Sequence, residues 1–249
     1  MNISYPVRGI FLDIGWTMNA PASGQWMTPP LFYELAGKDK YDSIPKQRID
    51  SALSKCMDYL DGNHLIRTEG EEFEQFKVYY KMLSDQLPEL DISDETIKSI
   101  AYDKVYNDQN YIFYDDVKPA LTKLRRSYKL GIISDTWPSA KRVLKSAGIY
   151  ELFDSVTFSC ELGVYKPHNR MYEHALYSLG IDPSQTVFVD DGVSCLNGAK
   201  KHGIQPVLIT RHKLPDGHEN FIKVKDFFDL ITLLDDTSEA AGPNVYRHR

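Results

Sequence analysis

The chain has 249 residues, of which 42% are hydrophobic and 26% are charged, and its net charge at pH 7 is −6. This composition is ordinary for a folded globular protein, and the length allows one large domain or a core with a smaller inserted domain. No dense basic stretch indicates nucleic acid, no apolar run approaches the roughly 18 residues of a membrane helix, and three widely spaced cysteines without a signal segment favour the cytoplasm.

The first third of the chain contains one strand signal followed by several helix signals. Residues 7–13 form a short apolar run that ends at an acid, as in a buried parallel strand. Beyond residue 29 no strand pattern is found until about residue 110. Apolar residues three or four apart predict helices over 30–36, 45–60, 69–87 and 93–106. This stretch is predicted to be an inserted helical domain.

From residue 117 onwards, helix and strand patterns alternate along the chain. Helices are predicted over 117–126, 139–147, 168–179, 194–202 and 224–234, and strands over 130–134, 155–159, 186–190 and 206–210. Such alternation is typical of an α/β fold in which a Rossmann-like, doubly wound parallel sheet carries helices on both faces. We therefore predict a core of residues 1–20 and 111–235, an all-helical cap of residues 21–110, and a disordered tail over 236–249.

Polar clusters follow the predicted strands, at the edge of a parallel sheet where ligands bind. Asp13 and Ser134 each end a strand, and taken singly each is more typical of a turn or helix cap. Lys166 lies in a loop, where most lysines are solvated. The adjacent acids Asp190 and Asp191 end a third strand and would repel each other unless a cation lies nearby. As an ordered set, these residues supply a nucleophile, a hydroxyl, a cation and metal-binding carboxylates.

The same segments resemble those of the haloacid dehalogenase-like hydrolase superfamily. The resemblance covers residues 7–17 and about 117–234, and it is carried by Phe11-Leu12-Asp13-Ile14-Gly15-Trp16-Thr17, Ile132-Ile133-Ser134-Asp135, Lys166-Pro167 and Asp190-Asp191-Gly192. The helical insertion resembles the cap of the family's first cap class. The resemblance implies a Rossmann-like core, a mobile cap, Mg2+ as cofactor, and a small phosphorylated molecule as substrate.

Carried over by position, the resemblance assigns a role to each motif residue. Asp13 is the expected nucleophile, which would attack phosphorus and form an aspartyl-phosphate. Ser134, Asp135 and Lys166 are expected to bind the phosphoryl group, and Ser134 and Lys166 also count as catalytic residues. The implied metal ligands are Asp13, the backbone carbonyl of Gly15, Asp191, and Asp190 through water.

Gly15 departs from the pattern of the family's phosphatases, which carry a second Asp at this position. That acid protonates the leaving group, and its loss typically removes about 10^2 to 10^4 in rate. The first interpretation is therefore a Mg2+-dependent phosphohydrolase of reduced or unusual activity. Oligomeric state and substrate identity stay open.

Three alternatives remain beside this interpretation. A phosphonatase-like C–P hydrolase also has a small residue at the position of Gly15 and would need a Schiff-base lysine from the cap. The candidates for that lysine are Lys38, Lys40, Lys46 and Lys55. A dehalogenase would also lack the second Asp, but it does not need the acid pair. A catalytically silent binding protein of the same fold is the fourth reading, although it would have no chemical need for the retained motif residues.

Overall fold

The computed structural model describes residues 3–4, 6–211 and 216–240. The strands, in chain order, are β1 (Gly9–Leu12), β2 (Asn19–Pro21), β3 (Tyr111–Phe113), β4 (Lys129–Ser134), β5 (Ser155–Phe158), β6 (Thr186–Asp190), β7 (Gln205–Ile209) and β8 (Ile222–Val224). The helices are α1 (Pro30–Ala36), α2 (Lys38–Ser43), α3 (Lys46–Gly62), α4 (Glu69–Gln86), α5 (Asp94–Tyr106), α6 (Val117–Leu124), α7 (Ala140–Ser146), α8 (Ser159–Leu162), α9 (Asn169–Leu179), α10 (Val193–Lys201) and α11 (Phe227–Ala240).

The main sheet has six parallel strands in the order β5-β4-β1-β6-β7-β8. Its central strand β1 is completely buried, because helices cover both faces of the sheet. Ile10 and Leu12 belong to the core on one face, whereas Phe11 belongs to the core on the other. The α/β Rossmann-like core predicted from the sequence is therefore confirmed.

Helices α1–α5 follow β2 and precede β3, and they pack around a hydrophobic core of their own that includes Phe76, Tyr79 and Tyr80. These aromatic residues of α4 are fully buried, so their helical spacing reflects packing. Two predicted helix starts carry caps. Thr68 forms a capping box with Glu71, and the Ser93 side chain accepts a hydrogen bond from the backbone of Thr96. The inserted helical unit is confirmed.

The helical unit joins the core through a short antiparallel pair. Asn19 of β2 pairs with Phe113 of β3, and Pro21 pairs with Tyr111. The pair lies at the ends of the segment predicted as the cap. The division into a core of residues 1–20 and 111–235 and a cap of 21–110 stays a prediction. No helix in the described ranges is both long and apolar enough to cross a membrane.

The final helix differs from its prediction. It begins at Phe227 because the predicted first residue, Val224, instead ends the edge strand β8. It continues to Ala240, into the stretch 236–249 that is predicted to be a disordered tail, and residues 241–249 lie outside the described residues. A three-residue strand is too short to show a hydrophobic period, which is why β8 was not predicted.

Gly131 of β4 offers a test of the packing around the central strand. A Cβ atom at this position would lie 2.7 Å from the ring of Phe11 and 2.8 Å from Ser155 Oγ. We expect Gly131→Ala to lower the free energy of unfolding by about 1–3 kcal/mol, because backbone or ring would have to shift. Urea denaturation measures the change.

Gly62 is the matched control, because it ends α3 and a Cβ atom there meets nothing within 4 Å. Gly62→Ala should be neutral or stabilise the protein by up to about 1 kcal/mol. Equal destabilisation by both substitutions would contradict this account of the sheet.

Candidate active site

The predicted site residues meet at the carboxyl edge of the main sheet. Asp13 directly follows β1, Ser134 ends β4 and Asp190 ends β6. Because β1 lies between β4 and β6 and all three strands are parallel, their carboxyl ends are neighbours. The topology thus brings together residues that are more than a hundred positions apart in the sequence.

Lys166 joins the first and the last of these strand ends. Its Nζ atom donates to Asp13 Oδ1 and to Asp190 Oδ2, each at 2.6 Å, and all three side chains are buried. Burial acts to lower the pKa of Lys166, but attraction by Asp13 and Asp190 outweighs it and raises the pKa well above 10.5. Lys166 therefore stays charged and neutralises the strand ends.

The loop that carries Lys166 is held by a further carboxylate. The backbone N–H of Lys166 donates to Asp135 Oδ1 at 2.8 Å. In the structure this oxygen positions Lys166, and phosphate binding by Asp135 stays a prediction. Burial raises the pKa of Asp135 to about 6, in spite of attraction by Lys166. Ser134, beside it, is buried and lines the cavity described below.

Asp190 and Asp191 add more negative charge than Lys166 can balance. Asp190 Oδ1 accepts a hydrogen bond from the backbone of Gly192 at 2.6 Å, and burial raises the pKa of Asp190 to about 6. Burial, followed by repulsion from Asp13 and Asp190, raises the pKa of Asp191 to about 7. Counting Asp13 and Asp135, four carboxylates surround one ammonium group.

This donor set fits Mg2+, which uses oxygen ligands and is commonly held by one or two carboxylates together with waters and substrate phosphate. Asp13 and Asp191 are the carboxylates available for that role, since Asp190 is bound to Lys166 and Gly192. Within the described ranges no three His, Cys, Asp or Glu side chains are grouped to hold a metal ion. A site with two side-chain ligands agrees with both observations.

The space beside Gly15 is filled by an aromatic side chain. A Cβ atom at Gly15 would lie 3.2 Å from Trp26 Cζ2, which is too close unless the indole moves. Trp26 in turn packs edge-on against Trp16, with ring centroids 5.4 Å apart, and against Tyr111. A side chain at position 15 therefore fits only if the indole of Trp26 shifts by a few tenths of an ångström.

The site opens into a cavity of about 290 Å3 between the sheet edge and the helical unit. The sheet edge contributes the motif residues Asp13, Gly15, Ser134, Asp135, Lys166, Asp190 and Asp191. Aromatic and apolar side chains form much of the remaining wall, among them Trp16, Trp26, Met27, Tyr111, Trp137, Val143 and Leu144. Trp16 and Trp26 both line the cavity.

Two hydrogen-bonded contacts fasten the helical unit to the loop after Ser134. Glu72 of α4 is 1% exposed and accepts from the Ser139 backbone at 2.8 Å and from Ser139 Oγ at 2.7 Å. Burial raises the pKa of Glu72 to about 7, against the effect of these hydrogen bonds. The indole N–H of Trp137 donates to Gln75 Oε1 at 2.9 Å. The loop that follows β4 thus also holds the helical unit.

Sequence reasoning missed Glu72 and Lys104, which both line the cavity. A signal was available, because each stands where its helix should be apolar. Glu72 shares the buried face of α4 with Phe76 and Tyr79, and Lys104 follows Ile97 and Ile100 on α5. A charged residue within a buried stripe is unusual and calls for a partner or a function.

Comparison with known proteins bears on this site. A family model described as haloacid dehalogenase-like hydrolase matches residues 36–210, more than half of the chain. The chain belongs to the haloacid dehalogenase-like hydrolase family. The four motifs predicted this family.

Individual relatives carry two kinds of activity in their names. The chain is 31% identical to "Phosphatase MT3486" of Mycobacterium tuberculosis over 133 residues, covering 52% of this chain and 58% of the relative. It is 36% identical to the (S)-2-haloacid dehalogenase of Pseudomonas sp. strain YL over 100 residues, covering 39% of this chain and 43% of the relative. The chain thus spans about half the length of these curated relatives.

A solved structure supports the fold over nearly the whole chain. The crystal structure of a HAD phosphatase from Thermococcus onnurineus superposes with a TM-score of 0.62 at 22% identity, and the match covers 92% of this chain and 98% of that one. At this identity the likeness shows the fold alone.

Asp191 allows a test of the surplus negative charge. Its raised pKa means that the folded state binds a proton more tightly than the unfolded state does, so this carboxyl lowers stability as pH rises from about 4 to about 7. In EDTA, Asp191→Asn should therefore exceed the wild type in unfolding free energy by about 1–3 kcal/mol at pH 8, with a smaller gain at pH 4. Denaturant titration at both pH values measures this.

The exposed Asp58 of α3 is the matched control. Asp58→Asn should change the unfolding free energy by less than about 0.5 kcal/mol at either pH. A gain for Asp191→Asn that does not depend on pH would show that the effect is not electrostatic.

Proposed function

We propose that the protein is a Mg2+-dependent phosphohydrolase that acts on a small phosphorylated molecule through an aspartyl-phosphate on Asp13. The observation that carries the proposal is the buried contact of Lys166 with both Asp13 and Asp190 at the floor of the cavity. This contact keeps a cation beside the nucleophile, where negative charge develops during phosphoryl transfer. The phosphatase among the relatives supports the same reaction class.

The motif residues divide the reaction between them. A carboxylate oxygen of Asp13 attacks phosphorus, and the bond from phosphorus to the leaving oxygen breaks with both electrons on that oxygen. Lys166 offsets the charge on the phosphoryl oxygens, and the Ser134 hydroxyl donates a hydrogen bond to one of them. Water then hydrolyses the acyl phosphate and regenerates Asp13.

Bound Mg2+, held by Asp13, Asp191 and the carbonyl of Gly15, with Asp190 acting through water, would draw charge from the phosphoryl oxygens. The four carboxylates of the site support this assignment, because without a further cation they repel a phosphate dianion.

Gly15 sets the limits of this activity. No side chain at this position can give a proton to the leaving oxygen, so a leaving group that is stable as an anion is favoured. Acyl and aryl phosphates meet this condition and sugar phosphates do not. The cavity of about 290 Å3 restricts the substrate to a small molecule. A cytoplasmic location stays a prediction, supported by the free cysteines Cys56, Cys160 and Cys195.

Asp13→Asn tests the nucleophile. Release of phosphate from acetyl phosphate and p-nitrophenyl phosphate should require Mg2+, stop in EDTA, and fall by a factor on the order of 10^3 or more in the variant, because the amide cannot form the acyl phosphate. Asp58→Asn should keep wild-type rates. Phosphate release that survives in Asp13→Asn would refute the mechanism, and wild type without any release would favour a silent binding protein.

The aromatic packing at Gly15 predicts that a lost acid cannot be restored by one substitution. The wild type should hydrolyse acetyl phosphate more than about 10^2-fold faster than glucose 6-phosphate. Gly15→Asp alone should raise the sugar-phosphate rate by less than about 10-fold, because Trp26 occupies the space. Gly15→Asp with Trp26→Ala should raise it by about 10 to 10^2.

Steady-state rates of phosphate release give the comparison, and Trp26→Ala alone is the control for the change in cavity shape. The explanation fails if Gly15→Asp alone performs as well as the double variant.

A dehalogenase is the second candidate, because two relatives bear that name and position 15 lacks the acid. Against it stand the adjacent acids Asp190 and Asp191, because displacement of a halide from carbon needs no divalent cation for them to hold. Chloride release from 2-chloropropionate in EDTA, without any phosphatase activity, would establish it.

None of the four lysines considered for the C–P hydrolase alternative is placed to react in the cavity. Lys38, Lys40, Lys46 and Lys55 are exposed and do not line the cavity. Lys104 is the cap lysine that lines it, so an imine within the cavity would have to form there. Borohydride trapping with phosphonoacetaldehyde, followed by mass mapping of Lys104, decides between this reading and phosphate-ester hydrolysis.

A further inference from the structure

We propose that the substrate carries a second anionic group, separate from the phosphoryl group, and that Lys104 of the helical unit binds it. The inference rests on the proposed function, because it describes the substrate class of the same cavity. It starts from a residue to which neither the motifs nor the relatives give a role.

Lys104 is a buried cation on a helix that otherwise buries apolar residues. It is 6% exposed, and it shares the buried side of α5 with Ile97, Ile100, Ala101 and Val105. Lysine is almost never fully buried without a partner, because removing an ammonium group from water is costly. The position therefore needs an explanation beyond packing.

The contacts of Lys104 satisfy its charge only in part. Its Nζ atom donates to the Tyr111 hydroxyl at 3.3 Å and lies 5.4 Å and 5.3 Å from the ring centroids of Phe76 and Tyr111. Across the described ranges, no carboxylate lies within the 4.0 Å of an ion pair with this atom. An ammonium group has three donors, so capacity remains for an acceptor.

Glu72, the acid that lines the same cavity from α4, does not supply that acceptor. Both of its oxygens accept hydrogen bonds from Ser139, on the core side. The charge of Lys104 attracts Glu72, but the two side chains form no ion pair within 4.0 Å. Glu72 and Ser139 thus form a closed contact between the two units, and Lys104 is left facing the cavity.

The cavity places Lys104 and the reacting groups around one bound molecule. Lys104 and Asp13 line the same space of about 290 Å3, which is at the lower end of the usual range for ligand pockets. The walls include the flat side chains of Trp26, Tyr111 and Trp137. These features fit a small molecule with a flat apolar body, a phosphoryl group at the sheet edge, and a carboxylate or second phosphate on Lys104.

Matched aryl phosphates test the proposal by binding alone. The probes are phenyl phosphate and its 3- and 4-carboxyl derivatives, titrated calorimetrically with Mg2+ into Asp13→Asn protein, in which attack on phosphorus is blocked. At least one carboxylated isomer should bind about 10- to 100-fold more tightly than phenyl phosphate, because a hydrogen bond between charged groups is among the stronger polar contacts.

Adding Lys104→Met should reduce this preference to less than about 3-fold, since methionine keeps the chain packed between Phe76 and Tyr111 but removes the charge. Lys104→Arg should retain most of it. Lys98→Met is the matched control, because Lys98 lies on the same helix and is exposed. Thermal melting monitored by circular dichroism verifies folding, and Lys104→Gln replaces Lys104→Met if the methionine variant unfolds.

The inference is overturned if a folded Lys104 variant still binds the carboxylated esters as preferentially as the protein with Lys104 does. It is also overturned if the protein with Lys104 binds neither carboxylated isomer more tightly than phenyl phosphate. Turnover by the wild type separates this inference from the proposed function. A carboxylated ester that binds through Lys104 without being hydrolysed refutes the phosphohydrolase and leaves the inference standing. Hydrolysis of all three esters with equal kcat/KM refutes the inference about Lys104 and leaves the phosphohydrolase standing.

Discussion

The active-site edge of this protein depends on one buried ammonium group. Parallel pairing of β1 with β6 forces Asp13 and Asp190 into the same buried region, where like charges repel strongly. Lys166 lies between them and contacts both at 2.6 Å. Removing one partner of a buried ion pair leaves an uncompensated buried charge. This costs far more stability than replacing the whole pair with apolar residues.

The same lysine connects more of the fold than its two ion pairs. Its backbone is held by Asp135, which follows β4, so a single residue links the ends of three neighbouring strands. The loop that begins at Asp135 continues through Trp137 and Ser139, which bind the helical unit. The proposed nucleophile, the loop after β4 and the contacts of the helical unit are therefore parts of one hydrogen-bonded arrangement.

Charge balance also distinguishes the reactions this edge suits. A site with more carboxylates than cations repels an anionic substrate unless a further cation joins it. Phosphoryl oxygens can bind such a cation directly, whereas displacement of a halide from carbon needs no metal ion. Holding the carboxylates of Asp190 and Asp191 at this partly desolvated edge is costly, as their raised pKa values indicate. The divalent cation proposed above would offset that cost.

Much of the fold could be predicted from hydrophobic periodicity, because the core strands are short apolar runs and most helices have a clear buried face. Helix α1 and strand β6 have the predicted bounds. The three-residue strands β2, β3 and β8 could not be found this way, since so few residues show no period.

Some residues of the candidate site could also be predicted from the sequence, and others could not. Asp13 and Lys166 were predictable because local sequence places them at strand ends or beside a proline. The partnership of Glu72 with Ser139, and the contact of Trp26 with Gly15, join segments whose distance in space no local pattern encodes. Lys104 was detectable as a charged residue on the apolar face of its helix, but a role for it could be inferred only once the structure placed it in the cavity wall.

The indole of Trp26 has a consequence for the history of this lineage. Once a large side chain occupies the space beside Gly15, an acid that reappears there by chance meets a steric penalty before it brings any catalytic benefit. The favourable order is the reverse one, in which Trp26 is replaced first, and that step by itself opens an apolar wall without improving chemistry. Acid catalysis from position 15 is therefore hard to gain through single substitutions, and selection for the proposed activity would act through the choice of substrate.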